Sequence, residues 1–155
     1  MATIDGTKNA SAGVPFEGSL QKFFILENIL DFDSLDPASG DTVKALPVEG
    51  GMRVFGTEVE IVTPSDAATS ASATVGDGDD PDGFDTNVDL KGSAGTVVGT
   101  SLALSEGTPN TLVDAYAGVG KRYTDDDTID VTVTYNGTTT VKGKIKIRAW
   151  GVKMD

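Results

Sequence analysis

The chain has 155 residues, the size of one ordinary domain with a single core, and an aromatic content of 6% leaves that core mostly to Val, Ile, Leu and Ala. Twenty-four acidic side chains against twelve basic ones give a net charge of -12, which repels phosphate backbones and anionic membranes and argues against nucleic-acid or membrane partners. Cysteine and histidine are absent, so disulfides, thiolate nucleophiles, zinc–thiolate sites and the commonest general base are all excluded.

Charge is unevenly distributed: residues 1 to 120 hold 19 acids and 5 bases, whereas residues 121 to 155 hold 5 acids and 7 bases. The first residues, MATIDGTKNASAGVPFEGS, have no basic stretch leading into an apolar one, so no secretory signal is expected and synthesis is expected in the cytoplasm. No apolar run approaches the roughly 20 residues of a membrane span.

Met1 to Gly13 is small and polar and reads as a flexible arm, either frayed or ordered on a neighbouring subunit. Residues 14–155 are expected to form one domain. Ile4 in the arm, with Val14 and Phe16 just beyond it, are candidate interface side chains. Val14 to Leu30 holds the densest apolar cluster, Phe23 to Leu26 with Ile29 and Leu30, and is read as extended, running on into an alternating Asp31 to Leu35. Asp36 to Asp41, DPASGD, predicts a tight turn or a single helical turn. Thr42 to Val48 is a short strand in which Pro47 cannot donate a ladder bond, placing it at an edge or a strand end.

Met52 to Thr63, MRVFGTEVEIVT, alternates with a period of two and reads as the central strand, with Phe55, Thr57, Val59 and Ile61 on one face. Pro64 to Thr74 contains only small side chains and suits either a linker or a strand packed closely on another backbone. Six aspartates then fall between Asp77 and Asp89. Their alternation with glycine resembles the front half of a calcium loop, with Asp77, Asp79 and Asp82 as the candidate ligands. Counted from Asp77, however, the sixth position is Asp82 rather than Gly and the twelfth is Val88 rather than Glu. A solvated turn is therefore preferred, with no cofactor expected and calcium kept as the lesser alternative.

Phe84 to Leu90 forms the next strand, Thr96 to Leu104 alternates weakly, and Ser105 to Lys121 is a long connection broken by Gly107 and Pro109. Ile129, Val131, Val133 and Tyr135 alternate with polar residues, as do Val141, Gly143, Ile145, Ile147 and Ala149 with Lys142, Lys144, Lys146 and Arg148. These two runs read as a hairpin about Asn136-Gly137, with Val133 opposite Val141, Ile129 opposite Ile145 and Asp130 opposite Lys144. The cationic row is expected on a solvent face. Trp150 falls on that same face, where a large exposed ring marks a subunit or domain contact.

The order of these segments resembles a known family. The Asp-Phe stretch Leu30 to Ser34, Gly40-Asp41-Thr42-Val43, the strand Met52 to Thr63, the turn Gly76 to Phe84, the phrase Glu106 to Thr111 and the close Tyr123 to Asp130 look like small virion structural proteins of tailed bacteriophages. The resemblance runs from about Leu30 to Val152 and implies a head decoration, or cement, protein. On that resemblance the fold is all-β, a single antiparallel β-sandwich of jelly-roll type with a flexible N-terminal arm. It implies a non-enzymatic subunit on the capsid exterior, with the major capsid protein and further copies of itself, as dimer or trimer, for partners. The alternatives are another virion part, such as a head fibre base, tail tube or tail-tip module, or a secreted carbohydrate- or calcium-binding sandwich. The aspartates cluster in turns with no apolar pocket to raise one pKa, so paired-carboxylate catalysis is not expected.

Overall fold

The computed structural model describes residues 1–7, 11–12, 21–99, 116 and 120–154, with residues 11, 12 and 21 described by backbone alone. Its elements are β1 (Thr3–Asp5), β2 (Ser11–Ala12), β3 (Gln21–Asp31), α1 (Phe32–Leu35), β4 (Thr42–Val48), β5 (Met52–Thr63), β6 (Ser70–Gly76), β7 (Asp85–Asp89), β8 (Val97–Gly99), β9 (Lys121–Arg122), β10 (Asp127–Asn136) and β11 (Lys144–Met154). They form two sheets, A in the order β1-β4-β10-β6-β7 and B in the order β2-β3-β11-β5-β8, with β9 also on β5.

The pairings are nested. β3 pairs with β11, β4 with β10, β5 with β8 and β6 with β7, all antiparallel. The chain is thus one long ribbon folded back on itself and then rolled, which inserts β10 between β4 and β6 and β11 between β3 and β5. This is the jelly-roll form of the antiparallel sandwich expected from the sequence. Rolling supplies each apolar strand face with a partner across the sandwich, and the core fills with Leu30, Leu46, Ile61, Ile129, Ile145 and Ile147, all buried.

The expected hairpin between residues 129 and 149 does not exist. Both strands form with the expected apolar faces, but β10 lies in sheet A and β11 in sheet B. Their apolar faces meet through the core instead of sharing one side of a ribbon. The connection crosses between the sheets, with Gly137 and Gly143 at positive φ (82° and 109°) and Val141 buried. Lys144 accordingly pairs with Asp31 at 2.9 Å, not with Asp130.

Three further expectations change. Beyond Asp31 the stretch is not extended: the Asp31 carboxylate accepts from the Asp33 amide and caps the single helical turn α1, which ends at Asp36 in the left-handed region. Phe55 does not share a face with Val59 and Ile61. Trp150 stands opposite Gly56 and Gly151 opposite Val54, so Phe55 is the extra residue of a bulge that reverses the alternation and turns its ring outward. The stretch read as an arm contributes β1, which runs parallel to β4 with Ile4 packed against the core, and β2, which pairs with β3. Ala2 is tied down as well, its amide donating to Asp41 at 2.8 Å. Pro47 lies beyond the reach of β1, which covers β4 only from Thr42 to Lys44, so its missing donor falls on an edge.

Asn28 was not foreseen as a structural residue. It occupies an inward position of β3 between Leu26 and Leu30, and its side-chain amide donates to the carbonyls of Gly6 and Ala45 at 2.7 and 2.8 Å. One buried side chain therefore ties sheet B both to sheet A and to the N-terminal stretch. Its signal in the sequence was a polar residue in phase with Phe24, Leu26 and Leu30.

Candidate docking face and the acidic turn

The turn between β6 and β7 is built around one carboxylate. Gly76 approaches the Asp80 carbonyl so closely that a Cβ would lie 2.0 Å from it, so only glycine fits there. Asp77, 1% exposed, follows immediately. Its Oδ1 accepts from the amides of Asp79 and Asp80 and from the Tyr116 hydroxyl, each at 3.0 Å, and its Oδ2 accepts from the Tyr123 hydroxyl at 2.9 Å. The Lys121 ammonium stands 3.7 Å from Asp77 and 2.7 Å from Asp79, over the rings of both tyrosines.

Burial, reinforced by hydrogen bonding to Asp77, pushes the Tyr116 phenol up to about 12. Burial and the Asp77 charge raise the Tyr123 phenol further still. The hydrogen bond to Asp79, the largest influence, and the charge of Asp77 raise the Lys121 pKa, and the hydrogen bond and charge of Lys121 lower that of Asp79. Asp82 turns instead toward Asp80, and the contact between their carboxyls holds the Asp80 pKa above its usual value.

Asp77 is thus not part of a solvated loop. It is a buried hub whose lone pairs are taken by four hydrogen-bond donors and whose charge is matched by a lysine. Of the candidate calcium ligands, Asp77 and Asp79 are brought together with an ammonium group already between them, and Asp82 is directed elsewhere. Among the described residues no three metal-ligating side chains gather. The side-chain partners of Asp77 lie 39 to 46 residues away in the chain, so no local spacing announced them. The hub is a staple that holds the turn and Tyr116 to the sandwich, with Tyr116 edge-on to Phe84 at 4.9 Å between ring centroids.

The outer surface of sheet B is different in kind. Along β3, β11 and β5 the outward positions form transverse rows. One row is ionic: Arg148 lies between Glu27 and Glu58 at 2.6 and 2.7 Å, with Glu60 at 3.4 Å, and the two nearer carboxylates raise the guanidinium pKa above its usual value. The next row is apolar, with Ile25 opposite Trp150 and Trp150 opposite Gly56. The indole lies across Gly56 so closely that a Cβ there would be 2.8 Å from its ring.

Phe23 is 60% exposed, Ile25 56%, Phe55 40% and Trp150 39%. Among the described residues every exposed large apolar side chain except Met1 belongs to a strand of sheet B. Trp150 therefore sits within a continuous apolar end of the sheet, which the bulge enlarges by turning Phe55 outward. Of the other interface candidates, Ile4 packs inward, and Val14 and Phe16 lie outside the described residues. Phe23, Ile25 and Phe55 were not singled out as interface residues. Their signal was the excess of apolar residues in β3, too many for one buried face of a strand.

No protein-family model matches the chain, and no curated protein is similar to it in sequence. Its fold is shared with chains of three solved structures. A chain of the cyanophage Pam1 capsid asymmetric unit aligns over 91% of both chains with a TM-score of 0.63 and 13% identity. A chain of the capsid of Ralstonia phage GP4 aligns over 87% of this chain and 84% of that one, with a TM-score of 0.55 and 17% identity. A chain from the acid-stable capsid of Helicobacter pylori bacteriophage KHP30 aligns over 95% and 94%, with a TM-score of 0.54 and 12% identity. At these identities the likeness establishes a common fold.

Proposed function

We propose that the chain is a non-enzymatic structural subunit of a tailed-phage virion, and specifically a decoration protein that binds the outside of the head. The observation that carries this reading is the fold likeness, over most of both chains, to components of three phage capsid structures. A net charge of -12 fits a protein that stays soluble when free and attaches to a preassembled particle. Binding only to the assembled lattice stabilises that lattice by mass action, and many copies add their separate attachments. The partner is the major capsid protein.

The test is to purify the chain and add it to heads assembled without it, to tails, and to unassembled capsid protein. Co-sedimentation with heads, weak binding to unassembled capsid protein and a higher disruption temperature for decorated heads are expected. Co-sedimentation with tails would transfer the chain to another part of the virion. Failure to bind any particle would end the virion reading.

A further inference from the structure

We infer that the outer face of sheet B is a self-association surface, occupied by the same face of a second copy of this chain. This does not depend on where in a virion the protein sits. Three observations carry it. First, size: the exposed parts of Phe23, Ile25, Phe55 and Trp150 amount to apolar area on the order of 400 Å². With its charged rim this approaches the roughly 800 Å² per partner of a stable interface.

Second, uniqueness: an apolar patch is covered favourably by another apolar patch, and among the described residues the exposed large apolar side chains are confined to sheet B apart from Met1. A head-to-tail contact would need a second, different patch. A contact of the face with itself needs only this one, as in an isologous dimer.

Third, charge: β3, β5 and β11 together carry six basic and four acidic side chains, whereas the rest of the chain carries six basic and twenty acidic ones. Contacts through the rest of the chain bring together surfaces in which acids outnumber bases by more than three to one. Across sheet B the bases of β11 are already matched within each copy, Lys144 by Asp31 and Arg148 by Glu27 and Glu58, so this face meets its own copy with little net charge. Two such sheets pack face to face about 10 Å apart, with Trp150 inside the contact.

Trp150 is the sole tryptophan, so its fluorescence reports on this face alone. The experiment dilutes the full chain while sedimentation and tryptophan emission are recorded together. Expected is a fall in mass toward the 16.0 kDa monomer, accompanied over the same concentration range by a red shift as the indole meets water. Ile25→Glu, at an exposed position that leaves the indole in place, should weaken association by at least about tenfold with parental circular dichroism and melting. A chain that is monomeric at every concentration overturns the inference. So does an oligomer that dissociates with no change in emission, because another face then holds it. A dilute monomer whose emission is already blue also overturns it, since the chain's own residues then cover the ring. The dilution series on the unmodified chain keeps the test valid even where Ile25→Glu fails to fold.

Discussion

Asp77→Ala removes the acceptor for two backbone amides and two phenolic hydroxyls, and the counter-charge for Lys121, in a place that water does not reach. Hydrogen bonds to a charged group are worth roughly 1.5–3 kcal/mol each, but the freed amides and Lys121 recover part of that by solvation at the turn surface. The buried Tyr123 hydroxyl does not. The net loss should therefore be about 3–5 kcal/mol, the usual cost of breaking a buried charged network from one side. In a domain of this size each kcal/mol shifts Tm by roughly 2–4 °C, so calorimetry should show a fall on the order of 10 °C. Asp79→Ala, which removes an exposed carboxylate in the same turn, is the control and should leave Tm nearly unchanged. Tyr123→Phe in the Asp77→Ala background should cost much less than in the parent, because the hydroxyl has already lost its acceptor. A loss for Asp77→Ala as small as that for Asp79→Ala would refute the hub, and additivity of Asp77→Ala with Tyr123→Phe would refute the link between those two residues.

Gly56→Val places a branched side chain where the Trp150 indole lies, so the ring must move outward; red-shifted emission with a folded circular dichroism spectrum is expected, and unchanged emission would contradict the stacking. At alkaline pH the two buried phenols set the trend: their folded pKa values lie above the free value of 10, so they contribute stability that is complete below pH 10 and is lost as pH rises above it, through about 12 for Tyr116 and at higher pH for Tyr123. Urea midpoints measured between pH 9 and pH 12 should fall over that window, and less steeply for Tyr116→Phe. Chelator should leave Tm unchanged, because Lys121 holds the place beside Asp77 and Asp79 that a calcium ion would need. A fall in Tm on chelation that calcium reverses would show a cation site.

Alternation in the sequence was sufficient to find most strands and to sort their faces. The spans of β5, β4 and β10 and the inward sides of Ile129, Val131, Val133, Ile145 and Ile147 follow from a period of two, because burial of one face is a local property of the pattern. Which strand neighbours which is not local. The apolar faces of β10 and β11 are satisfied equally well side by side or across a core, and only the rolled ribbon, which needs β4 and β3 as their respective partners, selects the second arrangement.

The candidate sites divide in the same way. Trp150 could be read as outward-facing from its phase with Lys146 and Arg148, since parity alone puts it there. Phe55 could not, because the bulge opposite Trp150 and Gly151 that turns its ring outward is set by the register of two strands some ninety residues apart. The role of Asp77 was equally out of reach. Its sequence neighbours are aspartates and glycines that suggest solvent, and burial of its charge depends on Tyr116, Lys121 and Tyr123, which arrive from the far side of the chain. A repeating pattern of side chains determines which face of a strand avoids water. The tertiary structure alone decides which distant group meets a buried charge, because that is settled by chain reversal and sheet packing.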